Sequence, residues 1–435
     1  MSAQILDDER SRRAFLALAA RACLGVSFAA ALPWPLGAGG QVDGLKAGLG
    51  AGSATGGGKA KSLIYLFMRG GMSHIDTLDP KPGRKVQGEF AAIPTATGVQ
   101  LSEHLPALAR LAEHFALVRS LTSKEGSHDR GVYYVHTGYR PIGTIAHPDV
   151  GAWLARAKGT QNETLPAQVL IGRLNIGAGF LGSGYQPLRV DKPDQGLKNL
   201  EKPRLFTEDE YRRSMKLADE LDGTFRAQHP HAAVEALSEA YLKAVRLMDS
   251  KDAEVFDISK ESAKAREDYG QHPFGQGLLM ARRLVERGVR FVEVELNGWD
   301  THEDNFERVE NLSQPLDKGL AALLLDLHRR GRLDTTMVVL ASEFGRSPEI
   351  NPRDGRDHHP KAFSALLAGG GIKGGAVYGR TDQDGREVEE NPVSVQDLNA
   401  TVAHAFGVDP EFELKSPEGR PFKFGGGGKP VLQLF

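Results

Sequence analysis

The run Leu63-Ile64-Tyr65-Leu66-Phe67-Met68 is continuously apolar and ends in Arg69-Gly70-Gly71. Apolar residues in unbroken succession suit a strand covered on both faces, and the glycine pair delivers it into a loop. Five further runs are similar: Phe115-Ala116-Leu117-Val118, Gln168-Val169-Leu170-Ile171, Val289-Arg290-Phe291-Val292-Glu293-Val294, Met337-Val338-Val339-Leu340 and Ala365-Leu366-Leu367-Ala368. Between them, Leu105 to His114, Val150 to Lys158, Gly275 to Arg287 and Leu316 to Arg330 carry helical spacing. Strands alternating with helices predict an α/β domain with a mainly parallel central sheet flanked by helices. From Tyr185 to Asp268 the pattern changes to charged helix (Glu208 to Phe225, Ala232 to Met248, Ser259 to Tyr269), which predicts a helical insertion over about 185–270. Gly425 to Gly428 reads as a flexible loop near the end.

Composition narrows the function. The 435 residues are 40 % hydrophobic and 25 % charged, enough apolar content for a core and too much for a disordered chain. With 54 basic against 56 acidic side chains and no basic block, no nucleic-acid partner is expected. A single cysteine, Cys23, excludes an intrachain disulfide and a thiolate zinc cluster, so a metal site would need His and carboxylate ligands. Fourteen histidines can supply them.

The N-terminus carries Arg12-Arg13-Ala14-Phe15-Leu16, then an Ala-rich apolar run closing at Ala29-Ala30-Ala31. Paired arginines, a weak apolar stretch and small residues predict a twin-arginine export signal over 1–38, hence the twin-arginine export machinery as a partner and a periplasmic or secreted protein. The run, interrupted by Arg21, is too short for the roughly 20 residues of a membrane span, so no stable span is expected after processing. Ten glycines between Gly37 and Gly58 predict a flexible linker over 39–60, and the folded domain is placed at 61–435.

In open parallel sheets, sites form in the crevice beyond the carboxyl ends of the strands. After the first strand come His74 and Asp76; after the second, Ser127, His128 and Arg130; after the Val289 strand, Asp300 and His302. Glu343 and Arg346 follow the Met337 strand, with Asp357, His358 and His359 a loop later. Five of these are histidines, with His136 a sixth candidate, and their grouping at strand ends predicts a divalent metal site. Imidazole with carboxylate suits zinc, calcium or manganese, as one or two ions. Glu343, directly ending an apolar strand, requires a compensating cation or arginine such as Arg346.

At these residues the chain resembles a known family. Gly70-Gly71-Met72-Ser73-His74-Ile75-Asp76, Asp79-Pro80-Lys81-Pro82, Thr137-Gly138-Tyr139-Arg140-Pro141, Trp299-Asp300-Thr301-His302, Ser342-Glu343-Phe344-Gly345-Arg346 and Gly355-Arg356-Asp357-His358-His359-Pro360 are similar, in this order, to the bacterial secreted family called domain of unknown function 1501. That family is grouped with the alkaline phosphatase and sulfatase superfamily, whose members hold metal ions at sheet ends and hydrolyse phosphate or sulfate esters. The resemblance implies an alkaline phosphatase-like fold, with Glu343 in place of an Asp ligand, Asp300 and His302 as a ligand pair, and His358 or His359 as the later histidine. Phe344 stands where a ligand His or Asn is usual. Thr137 to Pro141 resembles the superfamily's Thr-Gly-Arg-Tyr-Pro segment, and counting back nine residues, to the sulfatase nucleophile position, gives His128. The signature Cys/Ser-x-Pro-x-Arg is absent; Ser127 lies one residue away. The first-strand Asp pair is replaced by Arg69-Gly70, leaving Asp76 or His74 to substitute.

The expectation is an exported metal-dependent hydrolase of phosphate or sulfate esters, acting on a small-molecule or glycan ester. Ser127 or a metal-bound hydroxide would attack, with Arg69, Arg130 or Arg346 holding nonbridging oxygens. The alternative is a non-catalytic secreted binding protein with a structural metal site. An open coordination position distinguishes the first from the second.

Overall fold

The computed structural model describes residues 58–174, 176–197, 207–228, 232–409 and 411–435. The expected export signal, and all but the last residues of the expected linker, lie outside them. Among the described residues, no helix is long and apolar enough to cross a membrane.

The run around Tyr65 forms strand β1 (Ser62–Arg69), the centre of a sheet. The other strands are β2 (Phe115–Thr122), β3 (Gln168–Ile171), β4 (Leu188–Val190), β5 (Phe291–Asn297), β6 (Thr336–Ala341), β7 (Phe363–Ala368), β8 (Val377–Tyr378) and β9 (Val393–Ser394). Their order is β8-β2-β7-β6-β1-β5-β3-β4, with β9 also beside β2. β1 runs parallel to β5, from Leu63 opposite Phe291 to Arg69 opposite Asn297, and parallel to β6. Only β7 runs antiparallel to its neighbours, β2 and β6, among the described strands of this sheet.

β1 has no solvent face, and its alternate side chains feed two cores. Ile64, Leu66 and Met68 pack with helices α6 (Pro273–Glu286) and α7 (Asn305–Arg329). Leu63, Tyr65 and Phe67 pack on the other side with α1 (His128–Thr137), α2 (Val150–Lys158) and α8 (Val395–Ala405). Burial on both faces explains why the sequence runs apolar rather than alternating. Helices α3 (Glu208–Gln228), α4 (Ala232–Asp249) and α5 (Ala263–Tyr269) occupy the stretch expected to be helical.

Four local expectations are corrected. Leu105 to His114 is not one helix but a single α-helical turn, Pro106–Ala109, and a 3-10 segment, Ala112–His114; the Asp317 carboxylate accepts from the backbone of Ala107 and Leu108, and the chain then bends into β2. The helix expected from Leu316 begins earlier, at Asn305, and runs through Pro315, whose lack of an N–H argues for a break in sequence. β4, three residues long and too short to signal a strand, joins the sheet edge inside the expected insertion. Gly425 to Gly428 is close-packed: Gly425 has φ 52°, and a Cβ there would lie 2.4 Å from that of Asn399, so the glycines serve contact with α8 rather than flexibility.

Candidate metal centre

The carboxyl edges of β1, β5 and β6 and the start of α1 bring four side chains to one point. Gly70, at φ 119°, ends β1, and a Cβ there would lie 2.4 Å from Asp300 N. Only glycine therefore lets the Trp299-Asp300 loop settle over the end of β1. Trp299 is fully buried and anchors that loop, while Arg356 N donates to Thr301 O at 2.9 Å and Asn305 N to Asp354 O at 2.8 Å. A short antiparallel ribbon pairs His358 with Arg346 and brings the later histidines back to the site.

At the point of convergence lies Asp300 Oδ1. His128 Nε2 and His302 Nε2 each stand 3.2 Å from it, and His358 Nε2 stands 3.6 Å away. His302 Nε2 and His358 Nε2 are 2.9 Å apart. One ligand atom from each of His128, Asp300 and His358 falls within a 4.8 Å span, the size of a metal-holding group.

Each imidazole is held from behind. His128 Nδ1 faces Glu343 Oε1 at 2.7 Å, His302 Nδ1 faces Asp357 Oδ1 at 2.9 Å, and His358 Nδ1 faces the Gly126 carbonyl at 2.8 Å. All three partners are acceptors, so all three Nδ1 atoms carry the proton, and in the neutral rings all three Nε2 lone pairs face inward. His128 Nε2 is buried and makes no hydrogen bond. Lone pairs at these distances, beside a carboxylate oxygen, repel unless a cation lies among them. An Nδ1–H donated to a carboxylate or carbonyl behind an inward Nε2 is the arrangement that orients metal-binding histidines. The donor set thus fits a divalent ion with nitrogen and oxygen ligands.

The surroundings set the charge. Glu343 is fully buried and accepts from Gly70 N at 2.9 Å as well as from His128. Ser342 Oγ lies 3.1 Å from its second oxygen. The Glu343 hydrogen bond lifts His128 above the ordinary histidine value, outweighing burial. Burial alone would raise the Asp300 carboxyl, but Arg346 and the facing histidines hold it at about 2.

Several expected participants lie elsewhere. His74 is fully buried, faces Gly385 O through Nε2 at 2.9 Å, and is pushed down to about 4 by burial. Asp76 is locked to Arg356 at 2.7 and 2.9 Å and to Asn305 at 2.9 Å. His359 Nε2 faces Arg386 O at 2.6 Å, and His136 lies inside the core against Glu293. The arginines are committed too. Arg346, fully buried, donates to the carbonyls of Gly70, Gly71 and Arg356 and to Asp300, so Asp300, not Glu343, is its ion-pair partner. Arg130 and Arg140 both grip Glu125, and Arg69 pairs with Glu295 at 3.1 Å. Ser127 is exposed and precedes α1 without capping it through its side chain. Sequence reasoning missed the Gly126 carbonyl, which no side-chain pattern signals, and Arg356, whose partner Asp76 is 280 residues away.

No curated protein matches the chain. Among solved structures, a sulfatase from Pseudoalteromonas sp., PsFucS1, is 15 % identical over 85 % of this chain and 73 % of its own, with a TM-score of 0.41. A protein in the alkaline phosphatase superfamily from Vibrio parahaemolyticus is 14 % identical over 86 % and 70 %, TM-score 0.39. The C-terminal periplasmic domain of EcEptC from Escherichia coli is 10 % identical over 85 % and 94 %, TM-score 0.38. The family model described as "Protein of unknown function (DUF1501)" matches residues 60–435, and the chain belongs to that family.

Proposed function

We propose that the protein is an exported metal-dependent hydrolase of phosphate or sulfate esters. The observation that carries this reading is the convergence of three inward Nε2 lone pairs on Asp300 Oδ1 at the carboxyl edge of the sheet. His128, His302, His358 and Asp300 would hold one divalent ion, which supplies Lewis-acid polarisation of an ester oxygen and acidifies a bound water. Glu343, Asp357 and Gly126 O keep the three imidazoles oriented. Arg346 holds the Asp300 carboxylate ionised and in place. Ser127, exposed and adjacent in sequence to His128 at the start of α1, is the hydroxyl nucleophile to test. Export through the twin-arginine route suits a protein that folds and loads its ion before translocation.

A second reading, a binding protein with a structural ion, draws support from the four protein donors, which can close a tetrahedral site, and from the commitment of Arg69, Arg130 and Arg346 to protein carboxylates. The two are separated by loading the protein with zinc, manganese or calcium and screening aryl phosphates, aryl phosphodiesters and aryl sulfates. Metal-dependent turnover that His302→Ala abolishes supports the hydrolase. Full metal loading with no turnover on any of the three classes supports the structural ion.

A further inference from the structure

We propose that a polar cleft at the β8 edge of the sheet binds a neutral saccharide unit. It has a volume of about 430 Å³ and lies between the segment after β1, Arg119 of β2, and the chain from β8 to Asn391. That volume falls in the ordinary range for small-ligand sites, roughly 300–1,000 Å³. None of the four converging side chains of the metal centre lines it, and the proposal does not depend on the hydrolase reading.

The charges in the wall are internally balanced. Asp79, nearly fully buried, pairs with Lys81 at 3.0 Å and with Arg119 at 3.4 Å. Arg380 pairs with Glu390 at 2.8 Å. The Asp382 carboxylate accepts from the backbone N–H groups of Asp384, Arg386 and Glu387 at 2.9 to 3.0 Å. Three cationic and three anionic side chains leave no net charge to favour an ion of either sign, and so polar a wall would leave donors and acceptors unmet against an apolar ligand.

A ring bearing hydroxyls, each both donor and acceptor, meets these groups on equal terms. The Gln383 side chain is exposed and makes no hydrogen bond within the described residues, which leaves its amide for such a ligand. Tyr378, half-buried and packed in part against the core, lines the cleft and supplies an aromatic group there. Asn391 is held at φ 50°, one of three non-glycine residues at positive φ among those described, and such backbone strain concentrates at ligand sites.

The test is isothermal titration and saturation-transfer NMR on the folded protein. The probes are methyl glucoside, methyl galactoside, maltose and cellobiose, with glucuronate and glucose 6-phosphate as charged controls. At least one neutral probe should bind with a Kd tighter than about 10 mM. Gln383→Ala should weaken it roughly tenfold with an unchanged thermal midpoint, and Tyr378→Ala should weaken it similarly. No binding by any neutral probe, binding that survives both substitutions, tighter binding of the charged controls, or binding lost on chelator treatment would each overturn the proposal; the last would put the sugar at the metal centre.

Discussion

His302 Nε2 and His358 Nε2 face each other at 2.9 Å, each with its Nδ1 committed to an acceptor. Two neutral imidazoles cannot rest in that geometry without a proton or an ion between them. The pair belongs to loops following different strands, β5 and β6, so the close approach is made by the fold and not by local chain geometry.

The carboxylate behind His128 should tune metal binding without contacting the metal. Glu343→Gln keeps an acceptor for Gly70 N but removes the charge behind His128 Nδ1. Metal affinity should fall roughly 10- to 100-fold, with an unchanged far-ultraviolet circular dichroism spectrum. Competition titration against a metal indicator measures this, and unaltered affinity would show that His128 is not a ligand.

Ser127 and His128 separate two routes of attack. With a metal-activated water as nucleophile, Ser127→Ala should retain most hydrolysis, while His128→Ala loses metal and activity together. A phosphoserine trapped at position 127, or lost turnover with metal intact in Ser127→Ala, would establish covalent attack instead.

Asp76 distinguishes a structural carboxylate from a ligand. It is fully buried and paired with the equally buried Arg356. Asp76→Ala should destabilise the protein by about 3–5 kcal/mol, because it strands a buried guanidinium. Metal stoichiometry in the surviving folded protein should not change. Equilibrium denaturation and metal analysis on the same sample read both effects.

His136 makes stability depend on pH. Its Nδ1 faces Val132 O at 2.7 Å and its Nε2 faces Glu293 Oε1 at 3.1 Å, both acceptors, which calls for the doubly protonated ring. Burial, the largest single influence, opposes that charge, but Glu293 together with the Val132 carbonyl and Asp149 outweighs it and raises the His136 value. The resulting stability is complete below the ordinary histidine value of about 6.5 and is lost as pH rises through the higher folded-state value. Urea unfolding between pH 6 and 9 should show stability falling with pH, with a shallower slope in Glu293→Gln.

What the sequence made legible follows from burial. β1 and β6 are buried on both faces and read as nearly unbroken apolar runs, and β5 as an apolar run interrupted by Glu293 and Glu295, so the parallel core of the fold is legible. Asp300, His302, Glu343 and His358 were found because each directly follows such a run or its return loop. His74 and Asp76 lie at an equally good position by that criterion, yet they turn inward, to Gly385 O and Arg356, because their partners come from segments that sequence order places far away. Arg130 reads as free for substrate, yet it grips Glu125, five residues before it, in company with Arg140. The pairings of His74 and Asp76 depend on tertiary contact and leave no periodic trace, whereas that of Arg130 is local.

The central claim is that the His128, His302, His358 and Asp300 cluster holds a divalent cation. It is tested most directly by elemental analysis of protein purified without chelator, then stripped and re-equilibrated with zinc, calcium or manganese. At least one tightly held equivalent of one of these metals per chain is expected, with a higher thermal midpoint with metal than in chelator and loss of both in the His302→Ala, His358→Ala double variant. No stoichiometric metal under any of the three conditions, with a thermal midpoint indifferent to chelator, would contradict it.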